Sequence, residues 1–209
     1  MNHQQQNKNI EPLWSLVDDF GSSDLPTVNR IWLLDNTSLT DRLTSNYDQE
    51  FSVRVLDQRW EAPLPSESRL LDISTGEQAL IRRVTLRLGE IPVVFARTII
   101  PASTLDGSLN HLTTLGNVSL GAILFDTPGM VRSPFEIALI PGDHTYLPRE
   151  LFQVDPIWGR RSCFSLHSKR LIVSELFLSG FVPWKKCGHI GPDDFAVSHE
   201  LNSVACSQE

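Results

Sequence analysis

The chain has 209 residues, 41% hydrophobic and 21% charged, which is enough apolar material for one core and one main domain. Its formal net charge of -7 and pI near 5.3 give no general attraction to nucleic acid or to an anionic membrane, so an anionic ligand must be caught by locally placed arginines. The three cysteines, Cys163, Cys187 and Cys206, form no CxxC pair and no His/Cys cluster at zinc-ligand spacing, so they read as ordinary thiols of a reducing compartment.

Residues 1–10 are rich in Gln and Asn and lack periodicity, which reads as a disordered lead-in. That start lacks the apolar run of a signal peptide and no later stretch reaches the length of a membrane span, so the expectation is a cytoplasmic protein. A main domain is expected over 11–184 and a polar C-terminal tail over 185–209.

Within that domain, Trp32-Leu33-Leu34 runs into a cap at Thr37 or Ser38, which opens a helix through Leu39-Thr40-Asp41-Arg42-Leu43. Phe51 to Trp60 alternates in part and is rich in strand formers. Leu80 to Leu88 and Val93 to Ile100 follow as a hairpin joined across Gly89-Glu90-Ile91-Pro92. A short helix near Ser108 to Leu115 and an apolar helical stretch over Leu120 to Phe125 come next. Strands at Phe135 to Ile140, Arg161 to Leu166 and Leu171 to Leu178 close the domain, the last two paired across Ser168-Lys169. Clustered strands with helices between them, without strict βαβ alternation, predict an α+β fold with one antiparallel sheet.

Successive strand residues point to opposite faces, so Arg82 is the lone charge in the row Leu80, Arg82, Val84, Leu86, Leu88. Glu175 is likewise alone among Leu171, Val173 and Phe177, and Arg97 shares a row with Val93, Phe95 and Ile99. A buried unpaired charge costs several kcal/mol, so each needs a partner or a ligand. Two readings stand on these residues: a structural bridge, in which Arg82 or Arg97 pairs with Glu175 or another carboxylate, and a pocket for an anion.

Other chemistry has little support. His3, His111, His144, His167, His189 and His199 have no mutual spacing of a metal site. Asp143-His144 lies in a loop bounded by Pro and Gly, with no nucleophile motif beside it. No glycine-rich phosphate loop is present, so neither a metal nor a nucleotide cofactor is expected.

Three segments, in order and at their separations, carry a family resemblance. They are Arg82 to Arg97 followed by Thr98-Ile99-Ile100-Pro101-Ala102-Ser103-Thr104-Leu105; Leu115-Gly116 with Leu120-Gly121; and Ile157-Trp158-Gly159-Arg160-Arg161-Ser162 leading to Ser174-Glu175-Leu176-Phe177-Leu178. From Trp32 to Gly180 the chain resembles chorismate lyase, the chorismate-pyruvate lyase of quinone biosynthesis. The resemblance implies a sheet of about six antiparallel strands with peripheral helices, and a buried pocket closed beneath helical flaps. It implies a cofactor-independent enzyme that converts chorismate to 4-hydroxybenzoate and pyruvate; a monomer is expected. Carried over by position, Arg82 holds the ring carboxylate, Glu175 the ring hydroxyl, and the backbone amides of Leu120 and Leu39 complete the grip. Arg97, with Arg161 as a further candidate, is expected at the pyruvyl carboxylate on charge alone. The sequence departs from the family at Ala96, where glycine often stands, and at Leu39, where methionine is frequent. The competing class is a non-catalytic binding module, because the effector-binding domain of GntR-type regulators resembles the same fold.

Overall fold

The protein, seen in a computed structural model, is described at residues 11–20, Leu25 and 27–181. The expected lead-in at 1–10 and tail at 185–209, with Cys187, Cys206, His3, His189 and His199, lie outside the described residues. In chain order the described elements begin with β1 (Ser15–Leu16), α1 (Thr27–Leu33), α2 (Leu39–Asn46), β2 (Phe51–Glu61), α3 (Pro65–Leu71), β3 (Ala79–Leu88) and β4 (Ile91–Pro101). They continue with α4 (Leu120–Asp126), β5 (Val131–Arg132), β6 (Glu136–Ile140), β7 (Ile157–Leu166) and β8 (Lys169–Phe177). The region expected as a short helix near Ser108 is a 3-10 helix, Gly107–Thr114.

All strands join one antiparallel sheet in the order β1-β6-β7-β8-β4-β3-β2, with β5 added to β7. Six of the described strands are five residues or longer, so the expected α+β architecture with about six strands holds. Two helices escaped the sequence reading. α1, which ends at Leu33, was legible only as the apolar run Trp32-Leu33-Leu34, and α3 is a seven-residue helix opened by Pro65. Its Glu67 carboxylate caps the first turn by accepting from the Leu64 amide at 2.9 Å. At α2 the cap is Ser38, whose side chain accepts from the Asp41 amide at 3.3 Å, while Thr37 donates to Asp35.

The sheet divides the interior in two. On one face, Leu33, Leu39 and Leu43 pack over Val84, Leu86, Val94 and Phe177. Further along the same face, Leu109, Leu112, Leu120 and Leu124 pack over Leu80, Ile100, Phe164 and Leu171. On the other face, Phe95, Ile140 and Leu176 pack with Tyr146 and Leu147, and Leu71 of α3 covers Ile81, Ile99 and Ile172. Each fully buried Leu or Ile here contributes about 1.5–3 kcal/mol of transfer free energy.

A bulge in the β3–β4 hairpin decides which charges reach which face. The turn is only Gly89-Glu90, with Gly89 at a left-handed φ of 55°, and Leu88 pairs with Ile91. Unbroken pairing from there would set Arg97 opposite Arg82. Instead the register shifts between Leu86 and Arg87, leaving Val93 as the extra residue, so Arg82 faces Thr98 and Arg83 faces Arg97. One residue thus turns Arg97 away from the face that carries Arg82.

Candidate active site

Between the two apolar clusters on the first face lies a cavity roofed by the N-terminal ends of α2 and α4 and floored by β3, β4, β7 and β8. Cross-strand register builds its floor. Arg82 lies beside Thr98 and then Val173; one pair further along, Val84 lies beside Ala96, then Glu175, then Arg160. Arg82 and Glu175 are therefore held two strands apart with β4 between them. The Ala96 side chain, the departure from glycine, stands on the floor between Val84 and Glu175.

Arg82 is 2% exposed and has no carboxylate partner among the described residues. Its Nη2 donates to the carbonyls of Gly116 and Val118 at 2.8 and 3.0 Å, while its buried Nε has no acceptor among the described residues. Gly116 adopts a left-handed φ of 53°, a conformation glycine takes at little cost, in the turn that brings both carbonyls to the guanidinium. Burial pushes the guanidinium below its ordinary pKa. An arginine solvated by carbonyls and lacking a counter-ion is a receptor for an anion.

Glu175 pairs with Arg160, not with Arg82: Arg160 Nε meets Glu175 Oε2 at 2.6 Å. Arg160 Nη1 donates to the carbonyls of Trp32 and Asp35 at 2.8 and 2.9 Å, which fixes the segment between α1 and α2 to the sheet. Arg132 lies next to this pair, its Nη2 3.9 Å from Glu175 Oε2 and its Nε donating to Ser162 Oγ at 2.7 Å. The rings of Phe135, Phe164 and Phe125 surround its guanidinium with centroids at 4.0, 5.0 and 5.7 Å. Burial lowers its pKa to about 10, with Glu175 working against that shift, so it is cationic at neutral pH.

Leu39 and Leu120 both line the cavity as the first residues of α2 and α4. First-turn amides of a helix have no intrahelical acceptor, so an amide at either position is available to an anionic or carbonyl oxygen. The roof is tied across the gap by Thr40 Oγ1 and Ser119 Oγ, 2.6 Å apart. Ser119, the N-cap position of α4, makes no capping bond to its own helix.

Four of the residues singled out from the sequence thus meet in one cavity: Arg82, Glu175, Leu120 and Leu39. Arg97, expected at a pyruvyl carboxylate, does not line it. On the opposite face its Nε and Nη2 bind Glu67 at 2.9 Å each, and Tyr146 donates to the same carboxylate at 3.1 Å. Arg161 also faces away, bound to Glu136 at 2.7 Å and to Ser66 at 2.9 Å. Burial opposes the Arg97 charge, but the Glu67 hydrogen bonds and the neighbouring carboxylates hold its pKa above the ordinary value. Arg160 and Arg132 were missed. Strand alternation in Trp158-Gly159-Arg160-Arg161 puts only one of the two arginines on the cavity side, a signal present in the sequence. Arg132 sits on a two-residue strand that carries no periodicity.

Among the described residues no group of three His, Cys, Asp or Glu is placed to hold a metal, and no helix is long and apolar enough to cross a membrane. A family model described as chorismate lyase matches residues 9–188. The chain belongs to the chorismate lyase family. It is a lyase by that membership, and relatives that it matches are named probable chorismate pyruvate-lyase. A probable chorismate pyruvate-lyase from Methylococcus capsulatus is 40% identical over 149 residues, 70% of this chain and 92% of that protein. Another from Pseudomonas aeruginosa is 38% identical over 176 residues, 84% of this chain and 95% of that protein. Among solved structures, PhnF from Mycobacterium smegmatis aligns with a TM-score of 0.52 at 14% identity, covering 76% of this chain and 71% of that one. The effector domain of PhnF gives 0.51 at 15% identity, covering 70% and 91%. At such identities the likeness is one of fold alone.

Proposed function

We propose that this chorismate lyase family member converts chorismate to 4-hydroxybenzoate and pyruvate, an early step of quinone biosynthesis. The observation that carries the reading is the cavity with an arginine that lacks a counter-ion among the described residues at one end and a carboxylate at the other. Arg82 clamps the ring carboxylate of the substrate, helped by the amides of Leu120 and Leu39, and Glu175 holds the ring hydroxyl. Those two groups stand para on the ring, which suits two side chains separated by the width of β4.

The reaction needs no oxidant or reductant. The bond from the ring to the enolpyruvyl oxygen breaks, and its electron pair leaves with that oxygen. The neighbouring carbon, which bears the hydroxyl, gives up its proton, and the electrons of that C–H bond complete the aromatic ring. The released enolpyruvate takes up a proton at carbon and becomes pyruvate. Aromatisation makes the chemistry downhill, so the residues act by placement and by excluding water beneath α2 and α4. The same grip favours retention of the aromatic product, and opening of the roof then limits turnover.

The test is to incubate the purified protein with chorismate and follow both products by chromatography. Equal amounts of 4-hydroxybenzoate and pyruvate are expected, with kcat/KM falling about 100-fold or more in Arg82→Met and Glu175→Gln. A folded wild-type protein that binds 4-hydroxybenzoate and releases no pyruvate would instead make this chain a binding module on the same fold.

A further inference from the structure

Three arginines and one glutamate are the charged residues lining the described cavity, so it carries a net two positive charges. Chorismate brings two carboxylates and 4-hydroxybenzoate brings one. Arg82 accounts for the first. Arg160 has its Nε and Nη1 committed to Glu175 and to the carbonyls of Trp32 and Asp35.

Arg132 is held differently. Its Nε is fixed by Ser162 Oγ, its guanidinium is packed among the Phe135, Phe164 and Phe125 rings, and its side chain is 13% exposed. Its buried Nη1 has no acceptor among the described residues, and Nη2 stands 3.9 Å from Glu175 Oε2, beyond hydrogen-bonding range. A guanidinium immobilised at Nε, with Nη1 unpaired among the described residues and Nη2 held only by a 3.9 Å ion pair, suits a second carboxylate.

Resting on the reaction assigned above, we infer that Arg132 binds the carboxylate of the enolpyruvyl group. The enolpyruvyl ether and the hydroxyl occupy adjacent ring carbons. The guanidinium beside Glu175 therefore lies where the side-chain carboxylate falls when Glu175 holds the hydroxyl. Arg132 then recognises the substrate and the departing enolpyruvate but makes no ionic contact with the aromatic product, whereas Arg82 contacts both.

That asymmetry supplies the test. Two ligands are titrated into the wild-type, Arg132→Met and Arg132→Lys proteins: 4-hydroxybenzoate, and 3-(carboxymethoxy)-4-hydroxybenzoate, which adds a carboxylate on an ether oxygen beside the hydroxyl. In Arg132→Met the dicarboxylate loses about 30-fold or more in affinity, while 4-hydroxybenzoate changes by no more than about twofold. Arg132→Lys keeps part of the difference. The KM for chorismate rises with the loss of dicarboxylate affinity. Equal loss of both ligands in both variants, or no loss of either, overturns the assignment. Failure of the wild-type protein to release pyruvate from chorismate rejects the reaction, while the ligand pair still reports whether Arg132 meets a second carboxylate.

Discussion

Arg97 and Arg132 are both buried arginines, and their surroundings separate a structural cation from a binding one. Arg97 is matched by Glu67, itself 1% exposed, and the Tyr146 hydroxyl donates to the same carboxylate. Truncating it to Met leaves the Glu67 carboxylate buried without its cation. We expect Arg97→Met to cost about 3–5 kcal/mol in urea denaturation. Among the described residues no carboxylate depends on Arg132 or Arg82 alone: Glu175 keeps Arg160 when Arg132 is removed, and Arg82 donates to carbonyls. Arg132→Met and Arg82→Met should leave the denaturation midpoint of the ligand-free protein unchanged or raised, even though activity is lost. A loss of stability in Arg132→Met as large as that in Arg97→Met would show that its charge serves the fold. From sequence, Arg97 was expected in the pocket on charge alone, and Arg132 was not singled out. Parity along a strand identified Arg82 and Glu175 as lone charges, but parity across the hairpin depended on a bulge at Val93 that propensity does not mark.

The roof over the cavity depends on contacts between elements rather than on helix propensity. α2 and α4 are eight and seven residues long, too short to be stable alone, and they take their order from packing on the sheet. Leu43 is fully buried beneath α2, and Arg42 stacks on the Trp32 ring at 3.7 Å while paired with Asp35. The Thr40–Ser119 hydrogen bond spans the gap between the two helices. Removing it in Ser119→Ala removes about 1 kcal/mol from closure, so 4-hydroxybenzoate should leave about fivefold faster in a stopped-flow displacement experiment. An unchanged release rate would mean that product departs without separating the two helix ends. The cap and apolar spacing of α2 and the helical stretch of α4 were legible from sequence, as were the six longer strands within a few residues. The contact between Thr40 and Ser119 was not, because it joins residues 79 positions apart through the fold. α3 was hidden because Pro65–Leu71 carries only two leucines at its end as apolar signal, and Glu67 was hidden with it.

At the scale of the whole molecule, the segment between α1 and α2 couples the roof to the acid stability of the protein. Burial alone would raise the Asp35 pKa, but hydrogen bonds from Thr37 and the charges of Arg42 and Arg160 outweigh it and leave the carboxyl below its ordinary 3.8. A depressed folded-state value means that the ionised group stabilises the native state in full above about 3.8, and that this contribution disappears as pH falls through the lower folded value. Asp35→Asn should therefore be less stable than the wild-type protein by about 2 kcal/mol near neutrality, with the two denaturation curves converging in strong acid. A gap that persists undiminished at the lowest pH would locate the defect in packing instead. The antiparallel sheet sets a further condition on how such a chain can change over time. Arg82 and Arg83, and again Arg160 and Arg161, are neighbours in sequence that serve opposite compartments, one facing the cavity and the next a buried or half-buried ion pair. Their assignment works like a reading frame: replacing one side chain leaves the others on their faces, but one residue gained or lost between Val93 and Arg97 would exchange the cavity wall with the far side of the sheet. Length variation among descendants of this chain should accordingly collect in the connections at 102–119 and 141–156, leaving the frame of β3, β4, β7 and β8 untouched.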